Sequence, residues 1–107
     1  MADTELASLD RVTLPEETAI RRLLLRGVLR VRGDFEHREA ETFLNEFIAR
    51  RPSLPDNAME PLSIGYAYLG DARQMVGYSE RAPAAYEAAL AADPDTSRAK
   101  KGLARLN

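Results

Sequence analysis

The 107-residue chain contains no cysteine. Disulfides, a thiolate nucleophile and cysteine metal sites are therefore excluded. A single histidine, His37, stands between Glu36 and Arg38. As a general base it would need a positioned partner and a cleft; as one polar residue among Glu36, Arg38 and Glu39 it reads as an exposed helix position. No alternating β-branched run and no Asn-Gly or Asp-Gly turn is present, so strands are not expected. No apolar run approaches the roughly 18 residues that span a bilayer, so membrane insertion is not expected. The opening MADTELASLD lacks a basic region followed by an apolar core, so no signal peptide is visible and the cytoplasm is the default compartment. With a formal net charge of -2, whole-chain electrostatics give no strong pull toward nucleic acid or anionic membranes. Metal-ligand clustering and a Gly-rich phosphate loop are also missing. Glu36, Glu39, Glu41 and Glu46 are scattered along one helix, and Glu39 and Glu46 share a face with polar neighbours, which suits solvation better than acid–base work. The chain is read as non-catalytic, with no cofactor and no metal.

What is present is helical periodicity nearly throughout, in one domain with 45% hydrophobic and 30% charged residues. Residues 1–12 form an N-terminal segment or a short helix, with Leu6, Leu9 and Val12 spaced three apart. Thr13 and Glu16 form a capping box around Pro15, opening a helix to about Arg32 that stops at Gly33. Ile20, Leu23, Leu24, Leu25, Val28, Leu29 and Val31 cover most of its circumference, an apolar arc that calls for cover on two sides. Arg22, Arg26 and Arg30 form a narrow exposed stripe, either solvated beside the acidic residues of 34–46 or available to an anionic partner. Asp34 is the expected cap of an amphipathic helix to about Arg50. The connection RPSLPDNAMEP at 51–61 forbids one continuous helix. The next helix has Pro61 in its first turn and ends near Val76, before Gly77. A fourth, capped by Ser79 with Pro83 in its first turn, ends at Asp93-Pro94. A last helix, capped by Thr96 or Ser97, carries Ala99, Leu103 and Leu106 inward and Arg98, Lys100, Lys101 and Arg105 outward.

Within 66–94 the order Tyr66-x2-Leu69-Gly70, Gly77, Ala82-x3-Tyr86-x2-Ala89-Leu90 and Pro94 resembles the tetratricopeptide repeat, with its 34-residue W-x2-L-G-x2-Y…A-x3-F…P signature. Tyr66 replaces the usual Trp and Arg73 the usual Tyr. Gly70, Ala82 and Ala89 are the small residues at a close helix crossing, with Tyr66, Leu69 and Tyr86 filling the space around them. A looser copy precedes it: Ala40, Leu44, Phe47, Ile48 and Pro52 each stand 42 residues before Ala82, Tyr86, Ala89, Leu90 and Pro94. Phe47 falls where a small residue is expected, predicting looser packing there. Either Arg26 or Gly27 is the close-approach position of the first helix. The resulting expectation is an all-α, short right-handed α-solenoid: a degenerate repeat over 14–52, a connection over 53–61, a second repeat over 62–95 and a capping helix over 96–107.

The resemblance implies a concave groove that binds a peptide or helix of a partner protein, lined by Ile64, Tyr68, Asp71, Gln74 and Met75. The Lys and Asn positions with which the family clamps a C-terminal carboxylate are occupied here by Ile64, Ala67, Asp71 and Gln74, so that ligand is not expected. Two repeats are fewer than the ~3 that usually make a stable array, which favours a homo-oligomer or a subunit of a larger complex. The competing functions are a structural subunit permanently built into an assembly and a bacterial secretion-type chaperone. A nucleic-acid binder stands behind both, because acids sit beside the bases.

Overall fold

The computed structural model describes residues 15–56, 58–77 and 80–106. Thr13, Ser79 and the 1–12 segment lie outside the described residues, and so do the roles expected of them. Among the described residues five helices follow one another: α1 (Pro15–Gly33), α2 (His37–Arg50), α3 (Leu62–Val76), α4 (Ala82–Ala92) and α5 (Ser97–Leu106), with a short 3-10 turn at Arg51–Ser53. There is no strand among the described residues. Each helix packs on the next, and α3 also meets α1 and α5.

The ends of the helices follow from local chemistry. Glu16 and Glu17 in the first turn of α1, and Arg30 and Arg32 in its last, complement the helix dipole. The corner after α1 departs from expectation. Asp34 does not cap α2; it takes the left-handed conformation itself, with φ 57°. Its N–H donates to the Val31 carbonyl and that of Phe35 to the Arg30 carbonyl, the two bonds that close a helix C-terminus. Helix α2 therefore starts three residues later, with Glu36 at its cap, also left-handed at φ 47°. Gly33 has a different use from the one its position suggests: a Cβ there would lie 2.7 Å from the Phe35 ring. At the end of α3 the glycine acts as expected. Gly77 has φ 95° and its N–H reaches the Arg73 and Gln74 carbonyls. Pro61 is the cap of α3 rather than part of its first turn, and Arg81 holds the cap position of α4, with Pro83 just inside. Pro52 and Pro94 both lie just beyond the ends of their helices. Thr96 directs its hydroxyl back to the Asp93 carbonyl at 2.8 Å, while its own carbonyl accepts from Lys100 at the start of α5.

Helix crossings are built from paired small and large residues. On α1 the close-approach residue is Gly27: a Cβ there would fall 2.6 Å from Leu44 Cγ of α2. On α3 it is Gly70, whose Cβ would fall 2.5 Å from the Tyr86 ring of α4. The same device thus recurs with Leu44 and Tyr86 as the inserted side chains. Tyr86, Ala67, Ala82, Ala89 and Ala99 form one buried cluster, against which Tyr66 packs. A larger one gathers Ile20, Leu24, Ala40, Leu44, Phe47 and Leu69.

Phe47 corrects the expectation of loose packing. It is fully buried because α3 supplies Gly65 opposite it, where a Cβ would lie 2.6 Å from the ring. The bulk gained on α2 is given up on α3, so close packing is kept.

Arg51, for which the sequence suggests no role, is buried. Only 4% exposed, it turns inward and uses all five guanidinium N–H groups on carbonyls of the connection: Leu54, Pro55, Asp56, Met59 and Glu60, at 2.9–3.3 Å. The proline-broken segment is organised by one side chain.

Candidate functional site

The contacts set the directions of the helices. Phe47 meets Gly65 while Glu41 meets Arg73, and Tyr86 meets Gly70 while the Arg81 carbonyl meets Arg73, so α2 and α3, and α3 and α4, run antiparallel. Residues of α1 and α3 ascend together along a shared groove, so these two run parallel. Leu24, Leu25 and Val28 of α1 and Ile64 and Tyr68 of α3 line its first part, a cavity of about 350 Å³ completed by Arg21 and Glu60. One helical turn further along both helices, Val31, Arg32, Asp71, Gln74 and Met75 line a second cavity of about 360 Å³, which Arg98 and Arg105 of α5 close from the side. Volumes of this size take one or two large side chains, at the small end for a ligand site.

The two parts differ chemically. The first is apolar, and Leu25 at 37% and Leu29 at 46% are among the most exposed large apolar residues described, with Phe35 and Met75. Its Arg21 is engaged, 3.3 Å from Glu17 and donating to the Ala58 carbonyl at 2.9 Å. The second part is organised by Asp71, which is 4% exposed. One of its carboxylate oxygens is 2.6 Å from Arg98, and the other is 3.1 Å from Arg105 and accepts the Tyr86 hydroxyl at 2.5 Å. Gln74 donates to that same hydroxyl oxygen. Burial, followed by the bond to Asp71, pushes the Tyr86 phenol well above its ordinary pKa.

This arrangement redistributes the five groove residues expected from the repeat. Met75 is exposed and Ile64 half-exposed. Tyr68 is buried beneath the Arg98 guanidinium, 4.1 Å from its ring centroid. Asp71 and Gln74 are spent on internal hydrogen bonds. Arg98 and Arg105, expected to face outward, stay largely exposed but direct their guanidiniums back to α3, which presents a buried carboxylate that needs cationic partners. Leu25, Val28 and Arg32 of α1 were not foreseen in the groove, although the wide apolar arc of that helix carried the signal. Gly102 was missed too: a Cβ there would lie 2.2 Å from the Tyr86 ring, so α5 approaches as closely as it does only because this residue has no side chain.

The arginine stripe is half-buried rather than exposed. Arg26 and Arg30 lie over the Phe43 ring of α2, 5.8 and 4.8 Å from its centroid. Arg30 pairs with Glu36 at 2.9 Å and donates to the Arg26 carbonyl; Arg22 is half-buried and has an interaction of its own. His37 lies away from the groove, its Nε2 2.7 Å from Asp34 at the α1–α2 corner. Arg73, at the position where the repeat usually has Tyr, links α3 to Glu41 of α2 at 3.1 Å and to the Arg81 carbonyl before α4. Among the described residues no group of three or more His, Asp or Glu side chains is placed to hold a metal, and no helix is long and apolar enough to cross a membrane. Comparison of the chain with family models, with curated proteins and with solved structures returns no match to any of them.

Proposed function

We propose that the chain is a tetratricopeptide-like, non-catalytic interaction protein that holds an apolar segment of a partner protein in the groove between α1 and α3. The observation that carries this reading is the apolar lining of the groove by exposed Leu25 and half-buried Val28 and Ile64. A large side chain left in water forgoes about 1.5–3 kcal/mol of burial, and clustered apolar exposure beside a cavity is the usual mark of a docking surface. The repeat assignment draws support from the parallel pair α1 and α3, the antiparallel neighbours, and the Gly27–Leu44 and Gly70–Tyr86 crossings. A peptide or helix of another protein would anchor one or two apolar side chains there.

The alternative is a structural one, in which a second copy or a permanent partner subunit covers α1. The observation favouring it is that apolar exposure is not confined to the groove but includes Leu29 and Phe35. One experiment separates the two. A photoreactive residue is placed in turn at Met75, inside the groove, and at Thr42, on the exposed side of α2, in cells producing the full chain. The proposal expects one heterologous protein crosslinked at Met75, none at Thr42, and loss of that adduct with Leu25→Asp. Crosslinks that join only copies of this chain would establish the structural alternative. Adducts indifferent to Leu25→Asp would remove the groove from the account.

A further inference from the structure

Taking the groove reading as its base, the geometry points to a directional site: its occupant carries apolar anchors at one end and carboxylate side chains at the other. The first cavity is apolar, and its one cation, Arg21, is already paired. Charge of one sign gathers at the far end. Helix α5 holds Arg98, Lys100, Lys101 and Arg105 and no acidic residue. Arg98 and Arg105 share the single carboxylate of Asp71, so two guanidiniums answer one negative charge. Arg32, exposed on the last turn of α1, lines the same cavity. Lys101 lies beside Arg98 and Arg105 in an adjoining hollow. Arg32, Arg98, Lys101 and Arg105 against Asp71 leave three positive charges in excess, on a chain whose total is -2.

That local excess is continuous with the apolar cavity, one turn along the same two helices. A partner lying along the groove would meet both. From Leu25 to Arg32 is seven residues of helix, about 10 Å at the α-helical rise. The carboxylates therefore lie ~3 residues from the anchors in an extended partner, or about two turns from them in a helical one. The cations are side-chain guanidiniums and an ammonium at the open edge of α5 and α1, so aspartate or glutamate side chains serve, and a terminal carboxylate is not required. Charge complementarity of this kind sets orientation and speeds encounter more than it adds affinity. Stacked nucleobases are a poorer fit, because Arg98 already covers the Tyr68 ring in the groove.

The test uses the full chain and a random dodecamer library displayed through the peptides' C-termini, so that no free terminal carboxylate is present. Enriched peptides are expected to pair large apolar residues with Asp or Glu at the spacing above. As amidated synthetic peptides they should bind Arg32→Glu about three- to fivefold more weakly than wild type, and their affinity should fall with salt. Among the described residues Arg32 makes no side-chain hydrogen bond or ion pair, and its charge on the last turn of α1 contributes only weakly through the helix dipole, so this variant leaves the helices intact, as circular dichroism would verify. Enrichment of apolar peptides without acids, or indifference to Arg32→Glu, would overturn the directional charge while leaving the groove in place. Peptides unaffected by Leu25→Asp would show that the groove itself is not the site.

Discussion

Tyr86 carries more of the architecture than any other residue described. Its ring is enclosed by Gly70 and Gly102, and its hydroxyl joins Asp71 to Gln74. Tyr86→Phe keeps the ring and removes the hydroxyl, leaving Asp71 with its two arginines. Urea unfolding should show a loss of about 1–3 kcal/mol. The pH dependence has a definite sign. The folded-state pKa of Tyr86 is raised above its unfolded value of about 10. The protonated phenol's contribution is therefore complete below about pH 10, and it is lost as pH rises from there through the folded value. Wild type should lose stability between about pH 10 and 11.5 more steeply than Tyr86→Phe in the same series. Gly102→Ala drives a methyl into the ring and should destabilise the protein by about 1–3 kcal/mol, with α5 released first in hydrogen exchange. Gly77→Ala meets no atom within 4 Å but must adopt a left-handed φ, so its cost should be nearer 1 kcal/mol.

At the scale of the element, legibility in the sequence followed the range of the interaction. The α3–α4 pair was readable because Tyr66, Leu69, Gly70, Ala82 and Tyr86 recur at fixed short spacings, and Pro94 marks the end. Gly65 opposite Phe47 was not readable, because that compensation links residues on different helices and has no local pattern. The cap of α2 was misjudged for a different reason. Asp is a preferred helix cap and also one of the few residues that visits the left-handed region, and Asp34 takes the second role. Arg51 was hidden among other arginines, and only the path of the connection shows that it is spent on five carbonyls. Arg51→Met should leave the helices in place while freeing the segment that guanidinium organises. Limited proteolysis should then cut first within 53–61, at a rate well above wild type, whereas Arg50→Met should change little.

For the whole molecule, the five helices and their order were expected, and the groove was foreseen on α3 alone. Its other wall, α1, and its side closure by α5 depend on which helices come together. No single stretch of sequence states that. The exposed residues of α1 make a molecular-scale prediction. Leu25→Asp and Leu29→Asp should leave the thermal midpoint within about 2 °C of wild type, since neither side chain is buried in the core. If α1 is covered by a second copy, light scattering after size exclusion will show that Leu29→Asp halves the mass. If the groove serves a separate partner, mass will stay constant and only partner capture will fall.

The carboxylate of Asp71 is at once the anchor that fastens the last helix and part of the floor beneath the proposed ligand. Fastening and occupancy therefore draw on the same two arginines and are thermodynamically linked, and linkage is reciprocal. A ligand acid that turns Arg98 or Arg105 away from Asp71 loosens the chain end, and a frayed chain end weakens the ligand by the same factor. One that bridges them without displacing Asp71 tightens both. Amide exchange across 97–106, with and without an acidic peptide, would show whether the end of the chain is a passive lid or a reporter of what the groove contains.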